Sequence, residues 1–339
     1  MRKIILLMCL LLLSVMTLMA EEYVDPQTKV AYAYEPEQAN AIVKAGSSTA
    51  RQSEDGMLYV ETIPGNPDVT GDIAILESFT VDGRKYTVTG IGEYAFYFCG
   101  KITSVDIPAS VTSIGRKAFS DCYSLTSVNM PENLMEMGDA AFSSCSALVS
   151  IVIPQGISRI EDNTFWSCTC LENVEFPESL TYIGVGAFFC CSSLTEIQLP
   201  EGVSTIAYAA FESSQLKSIT IPASVSELES EAFFIQSLTS VTSLIEDPYP
   251  MDAFGVSAFQ MGIYSKATLY VPKGCIEKYK AVSKWNAFSR IEEIESGTNL
   301  KEVKYNKSSS AVYTLQGQRV ESVPRKGVYI QNGKKVVIK

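Results

Sequence analysis

The sequence predicts a β-rich solenoid of about seven 22–23-residue repeats, with a parallel strand ladder and short helical turns. It is expected to be capped at both ends and followed by a small all-β C-terminal module. Three observations predict this. Pro108, Pro131, Pro154, Pro177 and Pro200 fall 23 residues apart, and Pro222 follows after 22. Phe96, Phe119, Phe142, Phe165, Phe188 and Phe211 keep the same 23-residue step, and Phe233 comes 22 later. Between these anchors a Leu-x-x-Val-x-Met/Ile-Pro spacing recurs in register. A fixed period of this length marks units that stack on one another, because no single unit can bury its own apolar side chains.

One unit runs from Val111 to Pro131. Leu125, Val128 and Met130 approach the proline, and in an extended chain Val128 and Met130 share one face, the core. Ser127 and Asn129 then face water. Pro131 lacks a backbone donor and ends the strand. Val111 and Ile114 supply a second short extended segment. Gly115, which tolerates unusual dihedrals, closes it at the bend. Ala118 and Phe119 read as one helical turn that places the ring in the middle of the coil.

The flanks divide the chain further. Residues 1–20 read as a secretory signal: Arg2 and Lys3 precede an unbroken apolar run from Ile4 to Leu13, and Ala20 stands before Glu21–Glu22. The apolar stretch to Ala20 is 17 residues, the lower limit for an uncleaved anchor. After cleavage no apolar segment remains that could form a transmembrane helix. Residues 21–85 form an N-terminal β-rich cap, with extended segments at Val30 to Tyr34 and Met57 to Ile63. In the same cap, Ile73 to Phe79 and Tyr86 to Val88 flank the turn dipeptide Asp82-Gly83. The repeats cover 86–245, and a C-terminal cap covers 246–297. That cap holds a strand at Thr268 to Val271, a helix carrying Ile276, Tyr279 and Val282, and a lid of Trp285, Phe288 and Ile291. Residues 298–339 are a basic linker and β module with extended segments at Ala311 to Leu315, Gln318 to Val320, Val328 to Ile330 and Lys335 to Ile338, and an Asn332-Gly333 hairpin turn.

Composition narrows function. The chain contains no histidine, which removes Ser/His/Asp and Cys/His nucleophile sets and every histidine-bearing metal site. Residues 21–297 carry 16 basic against 36 acidic side chains, a net of −20, whereas residues 298–339 carry nine against two, a net of +7. A body this acidic repels phosphate backbones, so nucleic acid is not an expected partner. The expectation is a non-enzymatic protein with no catalytic residues, no cofactor and no metal. Glu246, Asp247 and Asp252 are the one group of acids that breaks the repeat, and they are where a carboxylate-pair hydrolase would have to sit.

Five cysteines, Cys99, Cys122, Cys145, Cys168 and Cys191, stand three residues after each repeat Phe, and Ser214 replaces the next. Export permits disulfides, yet side chains on a ladder run parallel, so packed thiols are the expectation. Cys170 and Cys190, off the ladder in adjacent units, are the disulfide candidate. A four-cysteine metal cluster of Cys168, Cys170, Cys190 and Cys191 matches no zinc spacing.

Two surfaces could bind. The outward ladder positions form a polar face that is acidic in the middle, at Asn173, Glu175, Glu196 and Gln198. This face reads equally as solvated sheet or as a hydrogen-bonding platform. On the opposite edge, Tyr97, Phe98, Tyr123, Trp166 and Phe189 follow the repeat Phe or Cys where neighbouring units use Ser, Asp or Glu. Rigidly held exposed aromatics are typical contact anchors, although they could also pack between coils.

The Leu-x-x-Val-x-Ile-Pro…Val-x-x-Ile-Gly-x-x-Ala-Phe pattern across residues 86–245 closely resembles the BspA-like leucine-rich-repeat family of bacterial surface proteins. That resemblance implies a right-handed leucine-rich-repeat solenoid exported to the cell surface. It also implies adhesion to extracellular proteins, including those of a host matrix. Glycan capture for nutrient uptake is the alternative. The segments Val312 to Val320 and Lys326 to Val336 resemble the C-terminal sorting domain of the type IX secretion system. They imply recognition by that secretion machinery and passage across a Gram-negative outer membrane, followed by release or attachment.

Overall fold

The computed structural model describes residues 21–34, 40–43, 50–52, 58–60, 69–251, 257–294, 312–314, 327–331 and 334–338. The expected signal segment, Gln318 to Val320 and the Asn332-Gly333 turn lie outside them. The body is a parallel-strand β-solenoid of about 9 turns with little helix.

The strands before the prolines pair in register in separate runs rather than as one unbroken ladder. Ser104, Val105 and Asp106 lie opposite Ser127, Val128 and Asn129, and Ser150, Ile151 and Val152 lie opposite Asn173, Val174 and Glu175. The inward residues Val105 and Ile151 are buried, while Asp106, Asn129 and Val152 are exposed, as period-two alternation requires. The second segment forms its own ladder: Ser113–Ile114 pairs with Gly90–Ile91 on one side and Glu136–Met137 on the other. Gly115 follows it, but not because of its dihedrals. A Cβ there would lie 2.6 Å from the Glu93 amide nitrogen, so glycine is required by the close approach of the preceding coil.

The expected helical turn is absent. Between Gly115 and Cys122 alternate amides leave the coil: Lys117, Phe119 and Asp121 donate to the carbonyls of Asp139, Ala141 and Ser143 in the next unit at 2.8–2.9 Å. The amides between them, on Ala118, Ser120 and Cys122, close turns to Gly115, Lys117 and Phe119. A helix would turn every amide inward along its own axis, leaving none for the neighbour. The alternation is made possible by left-handed residues at Lys117 (φ 54°) and Asp121 (φ 63°), repeated at Ala140 and Ser144 and at Asn163 and Ser167. This third ladder is the turn edge.

Inside the coils eight rings, Phe96 through Phe233 and then Phe259, stack in one column with neighbouring centroids 4.9–5.8 Å apart and planes within 17°. Burying each ring contributes about 2–3 kcal/mol, shared with the coils above and below. Beside the column, the Sγ of Cys122, Cys145, Cys168 and Cys191 each donate to the carbonyl of the Phe 26 residues earlier at 3.1–3.2 Å. These thiols are free, as are Cys170 and Cys190. The disulfide considered for that pair is not formed. Cys190 stands on the left-handed row beside Ser167, whereas Cys170 lies three residues beyond that neighbour, exposed.

Two departures concern the ladder ends. Gly71–Ala74 does not join the Asp82-Gly83 hairpin, which Ser78–Val81 and Arg84–Ile91 form alone; it pairs in parallel with Ile102–Asp106 as an extra rung. Downstream, Thr268–Val271 stacks in parallel on Ser240–Ser243, and Arg290–Glu293 in turn on Thr268–Val271. Trp285 is fully buried there, its indole N–H donating to the Tyr249 carbonyl at 2.9 Å. Among the tail residues described, Val312–Thr314, Gly327–Gln331 and Lys334–Ile338 pair antiparallel.

Candidate functional site

The side chains expected to bind fall on two different faces. Asn173 and Glu175 point outward from a paired strand and are exposed. Glu196 and Gln198 are exposed as well, but the strand expected around them is not paired: the ladder stops at Asn173–Glu175 and resumes at Ser218–Ile221. Two local changes border this gap, although the ladder also breaks between Ser127–Asn129 and Ser150–Val152, where neither occurs. One residue is missing between Phe211 and Ile219, yet Lys217 still donates to the Thr195 carbonyl, the bond that Thr126 makes to Thr103. On the other side Phe176 stands where other units have Ile, Met or Leu, and its ring wedges edge-on against Phe188 at 5.7 Å. The acidic middle of this face is therefore not one flat platform.

The aromatic residues all project from the turn edge, in two clusters. In the first, Tyr97 and Phe98 meet edge-on at 4.6 Å, and Phe98 meets Tyr123 of the next coil at 6.2 Å. Tyr94 joins it 5.5 Å from Tyr97, with the Arg116 guanidinium 5.0 Å from its own ring. The Tyr123 hydroxyl donates to Asp121 at 2.9 Å, which orients a ring that is 45% exposed. Burial, followed by the Asp121 charge, raises the Tyr97 pKa; burial and the Asp121 contact raise that of Tyr123. Both phenols stay neutral.

In the second cluster Trp166 and Phe189 stack face to face at 3.9 Å, 14° from parallel. Their register comes from the backbone. The amides of Ser144, Ser167, Cys190 and Ser213 donate to the carbonyls of Trp166, Phe189, Glu212 and Phe234, placing those four side chains on consecutive coils. Gly186 makes room for the indole: a Cβ there would lie 2.9 Å from the Trp166 ring, and its φ is +57°. Tyr208, 45% exposed, lies alongside with its amide on the Glu229 carboxylate at 2.7 Å and its hydroxyl bonded to Glu231. Ser120 and Ser143 hold the row between the clusters, so the edge carries two patches rather than a continuous stripe. Tyr94, Tyr208 and Phe234 were not expected. Tyr94 and Tyr208 precede the repeat Phe, so a search of the residues after it passes them by; Phe234 follows Phe233 directly and could have been found.

The alternative sites do not assemble. Asp247 is paired with Lys278 at 2.6 Å, and the Glu246 carbonyl accepts from the same lysine at 3.1 Å. Asp252 lies outside the described residues. Among the described residues, no group of three or more cysteine, aspartate or glutamate side chains could hold a metal. Burial drives the thiol pKa values of Cys99 and Cys191 to about 12 and those of the ladder thiols between them well above the usual range. These groups are packing elements. Among the described residues no helix is long and apolar enough to cross a membrane.

Comparison with known proteins agrees with this architecture. A leucine-rich cell surface protein from Faecalibacterium prausnitzii superposes with a TM-score of 0.52 at 24% identity, covering 80% of this chain and 72% of its own. The Treponema pallidum leucine-rich-repeat protein is 26% identical over 65% of this chain and 86% of its own, with a TM-score of 0.45. No curated protein matches the chain. The family model described as "BspA type Leucine rich repeat region" matches in six copies, over residues 89–214, 160–278 and 189–313. With its period, its stacked rings and this family-model match, the chain belongs to the BspA type leucine-rich-repeat family.

Proposed function

We propose that this chain is an exported, surface-associated interaction protein, an adhesin for extracellular proteins such as those of a host matrix, and that it has no enzymatic activity. The observation that carries this reading is the pair of aromatic clusters on the turn edge, with Phe98, Tyr123 and Tyr208 each more than 40% exposed. Large rings held by a backbone ladder lose little freedom on binding, so contact energy is not spent on ordering them. The description of the Faecalibacterium prausnitzii relative as a cell surface protein is in keeping with this reading. Residues 1–20 serve as the export signal, and residues 298–339 as the address read by type IX secretion machinery at a Gram-negative outer membrane. The polar positions Asn173, Glu175, Glu196 and Gln198 act as a secondary hydrogen-bonding surface.

A second reading, glycan capture, draws on one feature. The Trp166–Phe189 stack offers aromatic surface of the kind on which a sugar ring packs. An array of matrix proteins and purified glycans, probed with the full chain, separates the two. Saturable binding to a protein that weakens about tenfold or more in a Trp166→Ala/Tyr123→Ala variant supports the adhesin. Binding confined to glycans supports capture. Binding unchanged by the variant removes the aromatic edge from either reading.

A further inference from the structure

The second aromatic cluster differs from the first in its charge. Glu229 accepts from the Tyr208 amide, Glu231 bonds its hydroxyl, and Glu212 lies close by, while the row Trp166–Phe189–Glu212–Phe234 sets one carboxylate among three rings on consecutive coils. Coils stack about 4.8 Å apart, so Glu212 sits one rung beyond the Phe189 ring. Glu212 and Glu231 repel each other: burial and the Glu231 charge both raise the Glu212 pKa. Among the described residues no lysine or arginine forms an ion pair with Glu212, Glu229 or Glu231. Arg159 stands nearby, but its guanidinium is held by Glu161 at 2.8 Å and lies over Tyr182 at 3.7 Å. The first cluster is mixed in charge: Asp121 accepts from the Tyr123 hydroxyl, while Arg116, paired with Glu93 at 3.6 Å, lies over Tyr94.

Resting on the reading of the turn edge as a contact surface, we propose that this second cluster binds an arginine- or lysine-bearing extended peptide segment of a protein partner. The chemistry is complementary at each rung. Flat aromatic surface takes the guanidinium face or the alkyl stem, and the carboxylates take its N–H groups. A side-chain repeat of about 6.6–7 Å on an extended segment lets successive cations reach carboxylates on coils one or two apart. The acid in the row also explains why the patch should read charge rather than apolarity alone: Glu212, between Phe189 and Phe234, would be desolvated without compensation under an apolar partner.

The test uses the full chain and a fluorescein-labelled (Arg-Ser)4 peptide, with (citrulline-Ser)4 as its uncharged twin, followed by fluorescence anisotropy. The expected result is saturable binding of the arginine peptide that weakens at least about tenfold in Glu212→Gln/Glu231→Gln and falls with added salt. Glu178→Gln/Glu201→Gln removes the same charge from exposed positions on another face, and is expected to change binding less than about twofold. Equal losses in the two double variants would reduce the effect to net charge and overturn the proposal, as would no binding. If the citrulline peptide binds equally well and Trp166→Ala abolishes it, the contact surface stands and the cationic specificity falls. If Trp166→Ala and Tyr208→Ala leave arginine-peptide binding intact, the aromatic surface itself is wrong.

Discussion

The Sγ of Cys145 donates to the carbonyl oxygen of Phe119, 3.1 Å away in the preceding coil, and every ladder cysteine from Cys122 to Cys191 repeats that bond. The thiol therefore ties each ring-bearing turn to the next while filling the space beside the ring column. Such a group is small, neutral and a weak donor. Reactivity should follow placement. Iodoacetamide at neutral pH is expected to label Cys170, which is exposed, and to spare the five ladder cysteines until the chain is unfolded. Peptide mapping by mass spectrometry reads this directly.

Burial of the ladder thiols sets a dependence on alkaline pH. Burial raises the folded-state pKa of Cys99 and Cys191 from 9.0 to about 12. The unfolded chain therefore loses these protons first as pH rises. Their contribution is fully present below about pH 9 and is lost progressively between about 9 and 12. The thermal midpoint should fall across that window, and less steeply when ladder cysteines are replaced by serine.

Ser214 marks where the ladder breaks, and its buried hydroxyl has no hydrogen-bond partner. An unpaired buried hydroxyl costs about 1–3 kcal/mol. Ser214→Cys is expected to stabilise the chain by about 1 kcal/mol, measured by urea unfolding. Removing a ring acts the other way. Phe142→Ala should cost about 3–5 kcal/mol, because the void adjoins the rings of both Phe119 and Phe165.

Gly186 supports the second cluster. A methyl group at that position would press on the Trp166 ring from 2.9 Å. Left-handed backbone alone is no obstacle, since Asn163 and Ala209 occupy equivalent positions at φ 56° and 54°. Gly186→Ala should therefore cost about 1–2 kcal/mol and shift the emission of Trp166. Trp285, the second of the two tryptophans, is buried and should not respond.

Much of this architecture is legible in the sequence because the Pro and Phe periods report positions where only one residue type does the job. Pro131 ends a strand, and Phe119 fills a coil. The turn edge departs from the helical expectation because its alternation depends on which amides face the neighbouring coil. Residues as unlike as Lys117, Ala140 and Asn163 share that left-handed row. Thr195 to Leu199 keeps the strand pattern intact yet is not paired in the ladder, as pairing also depends on the coils on either side. The extra rung at Gly71–Ala74 escaped because no proline or phenylalanine of the repeat accompanies it. Of the candidate site residues, the aromatic set was legible as exceptions at polar positions. The acids that give the second cluster its character were not, since Glu212 and Glu231 look like ordinary variable positions until the coils are stacked.

The central claim is that partners meet the turn edge. Acrylamide quenching of tryptophan emission tests it in the unaltered full chain, because Trp285 is fully buried and only Trp166 is open to quencher. Saturation with the array protein that binds most tightly should lower the quenchable fraction by covering Trp166. An unchanged fraction at saturation would place the contact elsewhere and contradict the account.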